Sequence, residues 1–133
     1  MLEHIRVIDL CDGTSQFAGH ILARLGAEVI AVEPVEGVST RHLGPYVADD
    51  PHLDFSLTHW AYNRGKKSVV LDIESEQGLK TFLSLIQSAD ILFEDFQPGY
   101  LESLGLSVID LANTNPQIIH ASITPYGLTG PRS

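Results

Sequence analysis

Short apolar runs alternate with segments that carry apolar residues at helical spacing along the whole chain. The apolar runs predict five β-strands, at residues 6–10, 28–33, 67–72, 90–94 and 117–123. Ser75 is the expected N-cap of one intervening helix, and Ser107 with Asp110 is the expected cap of another. Strands separated by amphipathic helices favour right-handed crossovers. The pattern therefore predicts an α/β fold with a Rossmann-like, doubly wound, mainly parallel sheet.

The first predicted helix has an apolar stripe that is expected to lie on the sheet, and Gly26 is expected to end the helix. The stripe consists of Phe17, Ala18, Ile21, Leu22 and Leu25. Residues 34–62, in contrast, show little periodicity beyond a short helix predicted over 54–62. A connection of this length inside a compact domain is usually functional.

The amino-acid composition of the chain disfavours several classes of function. The chain has 133 residues and a net charge of −9, which repels phosphate backbones and disfavours nucleic acid as a partner. No apolar run is long enough to cross a bilayer, so no membrane association is predicted. The single cysteine, Cys11, excludes a disulfide framework and a Cys-rich zinc site, and it favours a reducing, cytoplasmic setting.

Ligands of doubly wound sheets bind at the carboxyl ends of the strands, so the turn after the first strand is a candidate site. Gly13 and Gly19 in this turn, followed by Glu33, resemble a dinucleotide-binding fingerprint. The glycine spacing is G-x5-G rather than G-x-G-x-x-G, which favours an ordinary tight turn.

A basic turn precedes the third strand. Arg64, Lys66 and Lys67 are three of the eight basic residues of an acidic chain, which makes this turn the obvious place for an anionic ligand. The cluster taken alone favours a solvated turn.

The other candidate catalytic and metal-binding residues indicate a function less clearly. Glu94 and Asp95 are adjacent carboxylates, but neighbours on a strand point to opposite faces, so we do not expect them to converge on one substrate. His42, His52 and His59 lie in the irregular connection at spacings that match no fixed metal-binding scaffold, and no metal is predicted.

An ordered set of motifs over nearly the whole chain resembles the family III coenzyme A (CoA) transferases, the group that includes formyl-CoA transferase, the carnitine CoA-transferases and the α-methylacyl-CoA racemases. The motifs are Val7-Ile8-Asp9-Leu10, residues 22–30 with Val32-Glu33-Pro34, residues 63–68 with Leu71-Asp72, Ala89-Asp90-Ile91-Leu92, residues 94–99, Leu104-Gly105-Leu106, Asn115-Pro116 and residues 126–131.

The resemblance implies transfer of CoA between an acyl-CoA and a carboxylic acid, through an aspartate that attacks the thioester. In the family this aspartate lies downstream of the segment matching Tyr126 to Pro131. Residues 1–133 are therefore expected to be the N-terminal CoA-binding portion of a longer enzyme, inactive alone and part of an interlocked homodimer. The Gly- and Pro-rich end of the chain, 127–133, predicts an open loop that looks interrupted. An acyl-CoA racemase of the same family shares this half and stays an alternative.

The resemblance also implies CoA-binding positions. Leu71, Asp72 and Ile73 would border the adenine, while Asp95, Phe96 and Leu104 would line the nucleotide and pantetheine path. The candidates for phosphate contact, chosen on charge, are Arg41, Arg64, Lys66 and Lys67.

Three positions depart from the family pattern. Ser15-Gln16 replaces Gly-Pro in a first turn that is one residue shorter, Asp95 stands where Asn is common, and Ser103 stands where Arg or Lys is usual. A lost cation and an added carboxylate weaken the binding of an anionic ligand. A third alternative is therefore a non-catalytic, structural or binding half of a larger protein.

Overall fold

The computed structural model describes residues 1–131 and shows a five-stranded sheet with helices on both faces. The strands are β1 (Arg6–Asp9), β2 (Glu28–Glu33), β3 (Lys67–Val70), β4 (Ile91–Glu94) and β5 (Ile119–Ser122). The helices are α1 (Gln16–Arg24), α2 (Leu57–Asn63), α3 (Glu76–Ile86), α4 (Tyr100–Ser103) and α5 (Val108–Thr114). Arg132 and Ser133, the end of the loop predicted over 127–133, lie outside the described residues.

All four strand pairings are parallel, in the order β3-β2-β1-β4-β5, so the predicted doubly wound α/β class is confirmed. β1 lies at the centre, where Val7 pairs with Val29 on one side and with Ile91 on the other. Four strands are one to three residues shorter than the predicted runs, β2 has the predicted bounds, and the predicted caps are present. Ser75 accepts a hydrogen bond from the amide of Gly78, and Ser107 forms a capping box with Asp110.

The main core lies on the face that α3, α4 and α5 cover. There, Ile8 and Leu92 of the sheet pack in one buried cluster with Phe82 and Ile86 of α3 and with Leu111 of α5. A smaller cluster around Val7 and Val29 lies under α1 on the other face. The alternation of neighbouring strand residues between the two faces accounts for this division.

The predicted packing of α1 is confirmed only in part, because Leu22 packs against the smaller cluster but other apolar residues of the predicted stripe are exposed. Phe17 is 49% exposed and Ile21 is 45% exposed, whereas Gln16 and Gly19 are buried. A Cβ atom on Gly19 would overlap the carboxylate of Asp9, so this helix lies against the sheet by close backbone approach over a buried charge. Phe17 and Ile21 are consequently exposed, whereas Leu22 packs against the sheet.

The described residues contain no helix with the length and apolar character that spanning a membrane requires.

Candidate functional site

A cavity of about 410 Å³ opens where the chain leaves the carboxyl ends of β1, β2, β3 and β4; we call it the edge cavity. It brings together four of the predicted CoA-binding residues, which are Leu71, Asp72, Ile73 and Phe96. The other residues that line it are Leu10, Asp12, Val32, Glu33, Pro34, Val35, Glu36, Val38, Glu74 and Tyr100. This is the position at which parallel sheets of this kind bind ligands.

The edge cavity has an apolar and aromatic wall. Ile73 is buried beneath it, and the rings of Phe96 and Tyr100 meet with their centroids 4.5 Å apart. The Tyr100 hydroxyl donates a hydrogen bond of 2.8 Å to Glu74. Burial raises the pKa of Tyr100 to about 12, and the hydrogen bond to Glu74 adds to this effect. Tyr100 is therefore a neutral donor at neutral pH, and Phe96 offers a flat face to a planar ligand.

Asp12 connects the turn after β1 to the loop after β2. Its carboxylate accepts hydrogen bonds from the amide of Gly13 at 2.6 Å and from the amide and hydroxyl of Ser39 at 2.9 and 2.7 Å. All of these donors are uncharged. The contact fixes two loops of the edge cavity relative to each other.

Asp95 lies beside the edge cavity and does not line it. Its carboxylate accepts the backbone amide of Asp12 at 3.0 and 3.1 Å, which joins the turns after β1 and β4. Burial raises the pKa of Asp95, and the Asp12 and Asp9 carboxylates add to this, whereas the Asp12 amide and Ser15 oppose it. Leu104 is half-buried and packs against the main core. Binding of CoA by these two residues stays a prediction.

A second cavity of about 660 Å³ lies between α2 and the strands β2 and β3; we call it the α2 cavity. The four predicted phosphate contacts, Arg41, Arg64, Lys66 and Lys67, all line it, and none of them lines the edge cavity. The sequence analysis assigned these cations to the same CoA site as Leu71, Ile73 and Phe96, but the structure places the two groups in different cavities, and phosphate contact by the cations stays a prediction. Among residues 1–131, Glu33 alone lines both cavities.

Arg41 is held by acidic residues of the same chain. Its guanidinium donates two hydrogen bonds to the buried carboxylate of Glu33, at 2.5 and 2.8 Å, and a third to Asp54 at 2.9 Å. Burial opposes ionisation of Glu33, but the hydrogen bonds from Arg41 and Ser68 outweigh it and hold the pKa of Glu33 below its usual value. Glu33 is therefore occupied and does not act as the free ribose-binding acid of a dinucleotide site.

Lys66 and Asp9 form a fully buried ion pair, each side chain being 1% exposed. The ammonium donates to Asp9 at 2.8 Å, to the carbonyl of Gln16 at 2.7 Å and to Asn63 at 2.9 Å. An ammonium has three donors, so all three are used. Of the other cations in this turn, Lys67 pairs with Glu28, and Arg64 is exposed with no side-chain partner within residues 1–131.

Sequence reasoning missed the polar network around this pair. The motifs and spacings of the sequence single out neither Asp9 nor Gln16 as a functional residue. Gln16 is fully buried, and its side-chain oxygen accepts from Thr40 and Asn63, each at 2.9 Å. The available signal was a charged residue inside the otherwise apolar run Val7 to Leu10, since a buried charge requires a partner.

His59 belongs to the same network. Its Nδ1 atom lies 3.0 Å from the hydroxyl of Thr40 and 3.2 Å from the amide nitrogen of Asn63. Burial lowers the pKa of His59, and the nearby Arg41 guanidinium lowers it further. His42 and His52 have other partners, the carbonyl of Glu36 and the ring of Phe55 respectively.

The stability of the protein is expected to fall on mild acidification because of His59. Its pKa is lower in the folded state, so the unfolded chain binds the proton first as the pH drops below about 6.5. Within that window the free energy of unfolding should fall by up to about 1.4 kcal/mol per pH unit. Urea unfolding at several pH values measures how steeply the free energy of unfolding changes with pH. This pH dependence should be shallower for His59→Gln than for the control variant His4→Gln, which replaces an exposed histidine. Equal slopes in the two variants would contradict this assignment.

The chain belongs to CoA-transferase family III, whose sequence profile matches residues 2–133. It is 39% identical over 129 residues to the succinyl-CoA:(R)-benzylsuccinate CoA-transferase subunit BbsE of Thauera aromatica, covering 97% of this chain and 32% of that protein. It is 43% identical over 131 residues to the acetyl-CoA:oxalate CoA-transferase of Acetobacter aceti, with 97% and 32% covered. The crystal structure of a CAIB/BAIF family protein from Brucella suis superimposes with a TM-score of 0.88 at 36% identity, covering 97% of this chain and 34% of that one. The chain thus spans about a third of the length of the relatives it matches.

Proposed function

We propose that this chain holds the CoA group for an enzyme that transfers CoA between an acyl-CoA and a carboxylic acid. The observation that carries the proposal is the edge cavity, where Leu71, Ile73 and Phe96 meet at the ligand-binding end of the sheet. The two relatives described above, both named as CoA-transferases, are 39% and 43% identical to this chain over the matched length.

In this proposal the apolar wall accepts the adenine. Phe96 and Tyr100 supply aromatic surface, and Leu71 and Ile73 supply the aliphatic side. Asp95 acts indirectly, because it fixes the turn that carries Asp12. Leu104 supports Phe96 from the core, since both pack against the same buried cluster.

The basic residues have unequal parts in the proposal. Arg41 and Lys66 are neutralised by Glu33 and Asp9, so we assign them to the scaffold of the site. Arg64 and Lys67 are exposed at the mouth of the α2 cavity and are the candidates for contact with phosphates that lie outside the edge cavity.

CoA transfer needs a carboxylate nucleophile. We assign this role to none of the carboxylates described in residues 1–131. Asp9 and Glu33 are buried in ion pairs, Glu94 is buried and accepts the amide of Phe96 at 2.9 Å, and Asp95 accepts the amide of Asp12. We therefore propose that the CoA-transfer step takes place in a longer enzyme, comparable in length to the relatives.

Calorimetric titration of the intact protein with CoA tests the proposal. Saturable binding is expected, and Phe96→Ala should weaken it about tenfold, because a base stacked on an aromatic ring contributes about 1–3 kcal/mol. Phe55→Ala, at an exposed phenylalanine that lines neither cavity, is the matched control and should leave the affinity unchanged. The absence of saturable heat at millimolar CoA would instead favour a non-catalytic structural half.

We further propose that the protein acts as a homodimer in the cytoplasm. The exposed apolar side chains of Phe17 and Ile21 on α1 and of Leu25 just after it, together with Ile119 on the edge strand β5, support a partner surface. The buried and unpaired thiol of Cys11 supports a reducing compartment. Sedimentation velocity of the intact protein distinguishes a dimer from a monomer.

A further inference from the structure

The side chain of His120 on β5 has a polar atom without a hydrogen-bond partner. The side chain is 13% exposed, and its Nε2 atom is buried and makes no hydrogen bond. Among the buried side-chain nitrogen and oxygen atoms of residues 1–131, it is the only one in this condition. Unpaired buried polar atoms are unfavourable and therefore rare in native proteins, so this one calls for a physical explanation.

The nearest acidic group is the carboxylate of Glu94, at the end of β4. Its Oε1 atom lies 3.4 Å from Nε2 of His120, and the Glu94 side chain is 5% exposed. Hydrogen bonds of this type usually measure about 2.7–3.2 Å between nitrogen and oxygen. A movement of a few tenths of an ångström therefore separates the observed contact from a hydrogen bond.

The register of β4 and β5 explains why the two side chains meet. Leu92 pairs with His120 and Glu94 pairs with Ser122. Alternate residues of a strand share a face, so Glu94 and His120 both point to the face on which Leu92 packs in the main core. His120 also lines a cavity of about 300 Å³ beside α5, whose other lining residues are mainly apolar. Apolar surroundings strengthen a hydrogen bond once it is formed.

Glu94 connects His120 to the aromatic wall of the edge cavity. Its second oxygen, Oε2, accepts the backbone amide of Phe96 at 2.9 Å. Phe96 lines the edge cavity and packs on Tyr100. Because the two oxygens belong to one rigid carboxylate, a hydrogen bond from His120 to Oε1 restricts where Oε2 and the Phe96 amide can lie.

We propose that His120 is a positioning residue of the edge cavity, which donates a hydrogen bond from Nε2 to Glu94 and thereby holds Phe96 in place for the adenine. This inference rests on the proposed function and extends it to a residue that lines a different cavity. A protonated Nε2 is a donor in the neutral imidazole as well as in the imidazolium. A base stacked on Phe96 and a donor on Glu94 thus stabilise the same position of residues 94–96.

Calorimetric titration of the intact protein with CoA, using two variants of His120, tests the inference. His120→Leu has no donor and should weaken binding about threefold to tenfold, the upper limit being the contribution of Phe96 itself. His120→Gln places an amide donor close to the position of Nε2, so its affinity should stay within about twofold of that of the unaltered protein.

Measurements of stability separate positioning from a purely structural role. His120→Leu exchanges an unpaired polar group for an apolar one, so the urea midpoint should stay the same or rise while the affinity falls. The matched control, Ile118→Ala, removes an apolar side chain from the same cavity; it should lower the midpoint and leave the affinity unchanged. Equal losses of affinity in His120→Leu and Ile118→Ala would show that packing, and not the donor, is responsible, and would overturn the inference.

A double-mutant cycle shows whether His120 acts through Phe96. In a Phe96→Ala background, His120→Leu should weaken CoA binding no further. An undiminished effect in that background, or no loss of affinity in His120→Leu alone, overturns the inference and leaves CoA binding intact. If the unaltered protein binds no CoA, the inference and the proposed function fall together.

Discussion

Replacement of Lys66 by Met is expected to lower the free energy of unfolding by about 3–5 kcal/mol, because it leaves the buried carboxylate of Asp9 without a counter-charge. The substitution also frees the carbonyl of Gln16 and the side-chain oxygen of Asn63, which Lys66 now satisfies. A loss of this size is a large part of the 5–15 kcal/mol by which a domain is usually stable. Chemical denaturation followed by circular dichroism measures it.

Lys67→Met provides the matched control for this prediction. Lys67 is the next residue, its side chain is 70% exposed, and it pairs with Glu28 on the surface. Such a pair contributes about 0–1 kcal/mol, so the control should be almost neutral. The double variant Asp9→Asn with Lys66→Met should regain part of the lost stability, because Asn still accepts the amide of Cys11 without a buried charge. Similar losses for Lys66→Met and Lys67→Met would refute the assignment.

Replacement of Gly78 by Ala is expected to cost about 3 kcal/mol, although alanine is the better helix former by about 1 kcal/mol. A Cβ atom at this position would overlap the carbonyl oxygen of Asp72 and lie 2.6 Å from its carbonyl carbon. The first turn of α3 would then have to move away from the loop after β3. Because Asp72 lines the edge cavity, weaker CoA binding should accompany the loss of stability.

Gln77→Ala, one residue earlier on the exposed side of α3, is the control for this effect. It increases helix propensity slightly, and a surface change of this kind stays within about 0.5 kcal/mol. Thermal melts of both variants measure the two changes in stability. A stabilised Gly78→Ala protein would mean that helix propensity alone governs this position and that the close approach to Asp72 is unimportant.

The fold was predictable because its signals are local. Each strand is an apolar run of a few residues, and the capping residues Ser75 and Ser107 precede their helices directly. The orientation of α1 was not predictable from its own residues. It depends on Asp9 and Lys66, which are far apart in sequence and place a buried ion pair where an apolar stripe was expected.

The residues of the candidate site likewise include some that the sequence indicates and some whose role depends on the folded structure. The resemblance to the family implied Leu71, Asp72, Ile73 and Phe96, and these four residues line one cavity at the carboxyl end of the sheet, while their contact with CoA stays a prediction. The role of the cations was not visible, since a charge pattern does not reveal which acid each base will meet. Arg41 meets Glu33, a pairing that only the folded loop after β2 creates.

The central position of β1 has a consequence for how the chain reaches its fold. β1 is synthesised before the other four strands, but Val7 and Ile8 pair on one side with Ile91 and Leu92, which are made much later. Contacts of such separation slow folding to milliseconds or seconds, because a long loop must close before they form. During synthesis the half-made sheet therefore keeps an open, apolar edge until β4 arrives, and in that interval the nascent chain is most exposed to aggregation.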